Sequence, residues 1–132
     1  HNIPLIIGDY ELEEYFRKVA FHESERCLLC YDLRLRETAK KAQKEGFDVF
    51  STTLTISPYQ SLKAIKEIGE KSANLSADRQ GEAGVSFLFK DFREGFRESH
   101  KRAKEMNLYL QKYCGCLFSE RERYDEQGGS PQ

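Results

Sequence analysis

Cys27 and Cys30, separated by two residues, and Cys114 and Cys116, on either side of Gly115, are the only cysteines in this chain of 132 residues. Two close pairs supply four thiolates, enough to fill a tetrahedral sulfur site for zinc or for iron in an iron–sulfur cluster. The Cys27-Leu28-Leu29-Cys30 spacing at a helix start lets both sulfurs face one ion, and the free amides there favour the thiolate form. Gly115 has no Cβ and can take the tight turn that aims its two neighbours together. Nothing marks the chain as secreted, which argues against disulfides. A thioredoxin-like dithiol at Cys27 and Cys30 would leave the second pair without a role. Four buried apolar thiols are the blandest alternative. The spacing points to a shared metal site and leaves the metal open between zinc and iron.

Composition narrows the class. The hydrophobic fraction of 39%, with nine Phe and seven Tyr, suits a packed globule rather than a disordered segment. The net charge of −1 sets up no global basic field for nucleic acid. No apolar run approaches the roughly 20 residues of a membrane-spanning helix, and no secretory signal opens the chain. The expectation is a soluble cytoplasmic protein. The sequence opens on His1-Asn2-Ile3-Pro4 without an initiator Met and runs straight into an apolar stretch, as expected of the later part of a longer protein.

The elements that must position the thiols can be read from periodicity. Ile3 to Ile7 is a short apolar run, expected to be a strand buried on both faces. Glu11 to Phe21 has helical spacing at Leu12, Tyr15, Phe16 and Val19. His22 to Arg26 is polar and expected to be a loop. A second helix is expected from Cys27, with Leu28, Tyr31, Leu35, Ala39 and Ala42 on one face and Gly46 as its stop. Phe47 to Ile56 is rich in β-branched and aromatic residues and reads as a strand. Ser57-Pro58 is expected to open a helix with Leu62, Ile65 and Ile68 inward and Gly69 near its end. Ser72 to Gly84 reads as a surface connection, Val85 to Phe89 as a third strand, and Arg97 to about Tyr113 as a helix broken near Asn107. Residues 120–132 are charged and then Gly/Ser/Pro-rich, and are expected to be a disordered tail behind a single metal-binding domain at 1–119.

Strands alternating with helices predict an α/β fold, a Rossmann-like three-layer domain with a mainly parallel sheet. In such sheets ligands bind outside the carboxyl ends of the strands. Asp9, the stretch Ser57 to Gln60, and Asp91 to Arg93 all follow predicted strands, and the Cys27 pair opens a helix running back from that same edge. Asp9, Tyr59 and Asp91 are therefore candidate proton donors, although strand-end turns or helix caps would explain the aspartates equally well. Ser57 is expected to cap the helix behind Pro58. Tyr59 and Gln60 could read a flipped base by stacking and hydrogen bonding. Between Lys90 and Lys112 basic residues outnumber acidic ones, with Phe92, Phe96 and Tyr109 interleaved. Arg93, Arg97, Lys101 and Arg102 are the candidate phosphate contacts there, against the commoner reading of a solvated helix face. His22 and His100 lack ligand-like spacing and read as surface residues.

Several segments, in order, resemble one known family: Gly8-Asp9-Tyr10, the Arg26 to Leu35 stretch around Cys27 and Cys30, Thr52 to Gln60, Lys90 to Arg93, Phe96 to Ser99, and Gln111 to Ser119 around Cys114 and Cys116. Together they resemble the QueH-type, cobalamin-independent epoxyqueuosine reductases of tRNA queuosine synthesis, over about Ile3 to Ser119. The resemblance implies an oxidoreductase that reduces the epoxide of epoxyqueuosine in tRNA to an alkene. It implies an iron–sulfur cluster of the 4Fe–4S type and an additional iron ion, with Cys27 and Cys30 matching the family's Cys-x-x-Cys and Cys114 and Cys116 its Cys-Gly-Cys. It also implies two partners, the tRNA and an electron donor. The family's opening strand with adjacent cysteines, a Cys-Cys-Ala-Pro motif, has no counterpart in this sequence. The alternative from another class is a zinc-stabilised, non-catalytic RNA-binding domain.

Overall fold

A computed structural model describes residues 3–8, 12–77 and 84–126. They belong to two compact units, residues 1–93 and 94–132, each described by itself.

The first unit is organised around one long helix. Following α1 (Leu12–Val19), α2 runs over Arg26–Lys44. Tyr31, Leu35, Ala39 and Ala42 recur every three or four residues and are all buried. The helix ends where expected: Gly46 takes φ +76°, the Phe47 amide donates to the Ala42 carbonyl at 2.9 Å and the Gly46 amide to Gln43 at 3.1 Å. Glycine tolerates that left-handed step, and the paired bonds satisfy two carbonyls the helix would otherwise strand. Leu28, expected on the inner face, is 47% exposed, so the packed stripe begins one turn later, at Tyr31.

The chain then forms β1 (Val49–Phe50), α3 (Leu62–Ala77) and β2 (Ser86–Phe87). β1 and β2 pair in parallel, Val49 opposite Ser86 and Phe50 opposite Phe87. The fold is thus mixed α/β with a small parallel sheet, as the alternation of elements predicts. α2 packs chiefly on α3, with α2 also against β1 and α3 against β2. Phe50, Ile65, Ala73 and Val85 complete the core. Ile65 and Leu35, at 0% and 1% exposed, are its largest fully buried side chains.

Several expectations are corrected. Residues 3–8 form no strand, and Ile3, Leu5 and Ile7 are 78–85% exposed. Among the described residues the sheet has two strands, and this run is not one of them. The strand read over Phe47 to Ile56 stops at Phe50. The Leu54 amide donates to Thr52 Oγ1 at 3.2 Å, and Leu54–Ile56 closes into a 3-10 turn. Pro58 occupies a turn, closed by the Gln60 amide on the Ser57 carbonyl at 3.3 Å, instead of opening a helix. α3 starts later because Ser61, not Ser57, caps it: Ser61 Oγ accepts the Ala64 amide at 3.3 Å. It also runs through Gly69 to Ala77, into the segment expected to be a surface connection. Gly69 is tolerated there because the Phe87 ring lies against it; a Cβ would stand 2.3 Å from Phe87 Cδ1.

In the second unit α4 spans Phe96–Glu105. It ends as expected at Asn107, whose φ of +53° is accompanied by bonds from the Leu108 amide to Ala103 and the Asn107 amide to Lys104. The helix does not resume before Cys116. Leu117–Glu126 then forms α5, running into the stretch expected to be a disordered tail.

Candidate functional site

Cys27 is the second residue of α2 and Cys30 lies three further on, so both occupy one face of its first turns. The first turn itself carries no acidic residue, and Glu25 stands at the N-cap just before it. Cys27 is exposed and Cys30 half-buried. Cys116 is the residue immediately before α5, its carbonyl accepting the Glu120 amide at 3.0 Å. Gly115 has φ +91°, the turn that only glycine makes readily, and this brings Cys114 back over the start of the helix. Cys114 Sγ lies 3.1 Å from Ser119 Oγ, and that hydroxyl donates to the Cys116 carbonyl at 2.8 Å. Cys114 is exposed and Cys116 half-buried.

Both pairs therefore stand at helix N-termini, reach solvent and form no disulfide. The alternative of buried apolar thiols is excluded. Sulfur is a soft donor, so the donor set suits a soft metal or a cluster. The pairs fall in different units, each holding two thiols, and among the described residues no group of three or more His, Cys, Asp or Glu gathers as a metal site.

Two hydrogen bonds link the segments that follow the strands to α2 and to each other. Tyr31, next to Cys30, donates its hydroxyl proton to Gln60 Oε1 at 2.6 Å, tying the cysteine end of α2 to the segment after β1. Ser51 Oγ donates to the Leu88 carbonyl at 2.8 Å, tying that segment to the one after β2. Tyr59 is 86% exposed, its amide held by Ser57 Oγ at 3.3 Å. Asp91 accepts from the Arg93 amide at 3.0 Å and from the Arg93 guanidinium at 2.6 Å. Those hydrogen bonds hold the Asp91 carboxyl below the usual aspartate range and push Arg93 up. Asp91 is thus kept ionised, a poor state for a proton donor and a good one for bracing a guanidinium. Asp9 lies outside the described residues.

On α4, Arg97, Lys101 and Lys104 share one exposed face at intervals of four and three residues. Arg102 sits on the neighbouring stripe with Glu98, to which it is bonded at 2.9 Å. Lys104, not singled out from sequence, continues the basic face better than Arg102; counting four and three residues from Arg97 would have found it. Phe96 packs on His100, their ring centroids 4.2 Å apart, which removes both from the exposed set, whereas Tyr109 is 81% exposed. Tyr113 is pushed up, first by the Glu120 carboxylate.

A family model described as epoxyqueuosine reductase QueH matches residues 1–122. The chain belongs to the QueH family. Among its relatives is the epoxyqueuosine reductase QueH of Dehalococcoides mccartyi, 38% identical over 116 residues, which are 87% of this chain and 59% of that protein. The QueH of Thermotoga maritima is 40% identical over 129 residues, 90% of this chain and 64% of that protein. The QueH of Streptococcus pyogenes is 35% identical over 126 residues, 90% of this chain and 47% of that protein. The chain thus spans about half to two-thirds of these QueH proteins. The match covers both cysteine pairs, the edge segments and α4.

Proposed function

We propose that the chain carries the thiolate-bearing part of a cytoplasmic epoxyqueuosine reductase. It acts on epoxyqueuosine in tRNA, with Cys27, Cys30, Cys114 and Cys116 among the ligands that would hold a 4Fe–4S cluster and an additional iron. The observation that carries this reading is the position of all four thiols at solvent-reaching helix N-termini within a chain of the QueH family. Among the described residues no helix is long and apolar enough to cross a membrane.

The reaction takes up two electrons and two protons. Both C–O bonds of the epoxide break, the carbons keep an alkene, and the oxygen leaves as water. When bound, the iron centres supply the electrons and a Lewis acid for the departing oxygen. The chain's own residues supply orientation and protons. Arg93, held by Asp91, offers a guanidinium for a phosphate of the anticodon loop, and in the second unit Arg97, Lys101 and Lys104 offer phosphate contacts of their own. Tyr59 and Asp9 are the proton donors in this reading, with Tyr59 exposed in the segment after β1. An unidentified donor delivers electrons. The parallel β1–β2 pair, with α2 and α3 packed on it, is then part of a Rossmann-like three-layer sheet whose carboxyl edge holds the site.

Turnover is the test. The protein, reconstituted anaerobically with iron and sulfide and supplied with dithionite, should convert epoxyqueuosine in tRNA to queuosine, seen as loss of one oxygen in nucleoside mass spectrometry. Iron-loaded protein that leaves the epoxide intact would overturn the reading.

A further inference from the structure

The bond between Tyr31 and Gln60 has a direction that can be deduced. Tyr31 Oη lies 2.6 Å from Gln60 Oε1 and 3.4 Å from the Ser61 amide nitrogen. A backbone amide can only donate, so the phenolic oxygen is the acceptor in that contact. Its single proton goes to Gln60 Oε1 in the 2.6 Å contact, so the carboxamide turns its oxygen inward. The outward atom is Nε2. It has no hydrogen-bond partner among the described residues, and Gln60 as a whole is half-buried.

A free glutamine can present either end of its amide and so reads donors and acceptors alike. Gln60 is denied that choice. Tyr31 is only 4% exposed, so its bond is shielded from competing water, and a chain running amide to hydroxyl to carboxamide is polarised in one sense. The result is a donor-only group at the sheet edge, one residue from exposed Tyr59 and tied to the helix that opens with Cys27 and Cys30. A cation or a hydrogen-bond donor would find nothing to bind at Nε2. An electron-rich acceptor would.

We infer that Gln60 is a fixed hydrogen-bond donor to a carbonyl oxygen or ring nitrogen on the base of the substrate nucleoside, and that Tyr31 is the positioning residue that fixes it. The inference rests on the proposed tRNA substrate and adds which atom type Gln60 reads and why it cannot read the other. Tyr31 does not touch substrate; it acts through the amide it orients.

The test uses binding to two anticodon stem–loop RNAs, one carrying epoxyqueuosine and one carrying unmodified guanosine, with thermal midpoint and iron content measured in parallel. Gln60→Glu keeps an oxygen for Tyr31 and places a charged acceptor where Nε2 was. It should lose roughly tenfold to a hundredfold in affinity for the modified RNA, with fold and iron retained, while affinity for the unmodified RNA falls far less. Tyr31→Phe frees the amide to turn over and should lose about threefold to tenfold for the modified RNA alone. The double variant should lose no more than Gln60→Glu by itself, because Tyr31 has no amide left to orient. Should Gln60→Glu destabilise the fold, Gln60→Ala serves in its place with the same preferential loss. Unchanged preference for the modified RNA in the Gln60 variants would overturn the inference and leave the function standing. Equal losses on both RNAs would also overturn it, by assigning Gln60 to the RNA backbone. A wild-type protein that binds both RNAs alike would overturn the proposed substrate, and this inference with it.

Discussion

Gly69 sits inside α3 with the Phe87 ring against its backbone, and two forces of similar size compete there. In an exposed helix interior, replacing glycine with alanine stabilises by about 1 kcal/mol, since glycine loses more backbone freedom. At Gly69 the added methyl would stand 2.3 Å from both Phe87 Cδ1 and Cε1 and 2.6 Å from Cζ. The ring must therefore move by about an ångström to reach ordinary contact. It cannot do so alone, because it packs tilted against Phe50, with centroids 5.1 Å apart, and Phe50 is 5% exposed in the core. Overpacking of this kind costs about 1–3 kcal/mol, and loosening the aromatic pair about 0.5–1.5 kcal/mol more. The clash outweighs the propensity gain, so Gly69→Ala should destabilise by about 1–3 kcal/mol. That should appear in urea unfolding followed by circular dichroism as a lower midpoint at unchanged slope. Since Phe87 ends β2 directly before the segment bearing Asp91 and Arg93, RNA affinity should fall as well. A variant as stable as wild type, or more so, would refute the packing of α3 on β2 described above.

The ion pair and the basic face give two further expectations. Asp91 is held below the usual aspartate range by Arg93, so its contribution to stability is full above about pH 4 and is lost as the pH falls through the lowered value. A carboxyl carbon titration by NMR should place Asp91 below the usual aspartate range, Asp91→Asn should weaken RNA binding by freeing Arg93, and titration of Asp91 in the ordinary range would contradict the brace. Lys104→Ala should flatten the logarithmic salt dependence of tRNA binding by about 1, while Arg102→Ala, whose side chain is engaged by Glu98, should leave it nearly unchanged; equal slopes for the two variants would count against the stripe through Arg97, Lys101 and Lys104.

What the sequence disclosed, and what it hid, divides along the range of the interactions. α2 was legible almost to the residue, because its apolar period and the glycine that stops it are local signals. The break at Asn107 was legible for the same reason, as a short polar residue tolerates the left-handed step. The parallel pairing of the segments after α2 and α3 followed from the alternation of elements. The start of α3 was misjudged because two serines and a proline offered rival caps, and only the Ser61 bond to Ala64 decides between them. Its passage through Gly69 depends on a ring contributed by β2, which no local pattern reveals. α5 was missed because its residues carry little apolar period; charged pairs such as Arg121 with Asp125 and the anchoring at Cys116 accompany the helix instead. At the site, the cysteines and the edge segments were visible from spacing. The partnership of Tyr31 with Gln60, across 29 residues, and that of Asp91 with Arg93 as a brace were not.

Iron and acid-labile sulfide per chain, measured after anaerobic purification, test the central claim most directly. Iron with matching sulfide is expected, with a visible absorption bleached by dithionite, all diminished in Cys114→Ser together with thermal stability. Zinc alone, persisting through anaerobic reconstitution with iron and sulfide, would contradict it and leave the four thiolates a structural role.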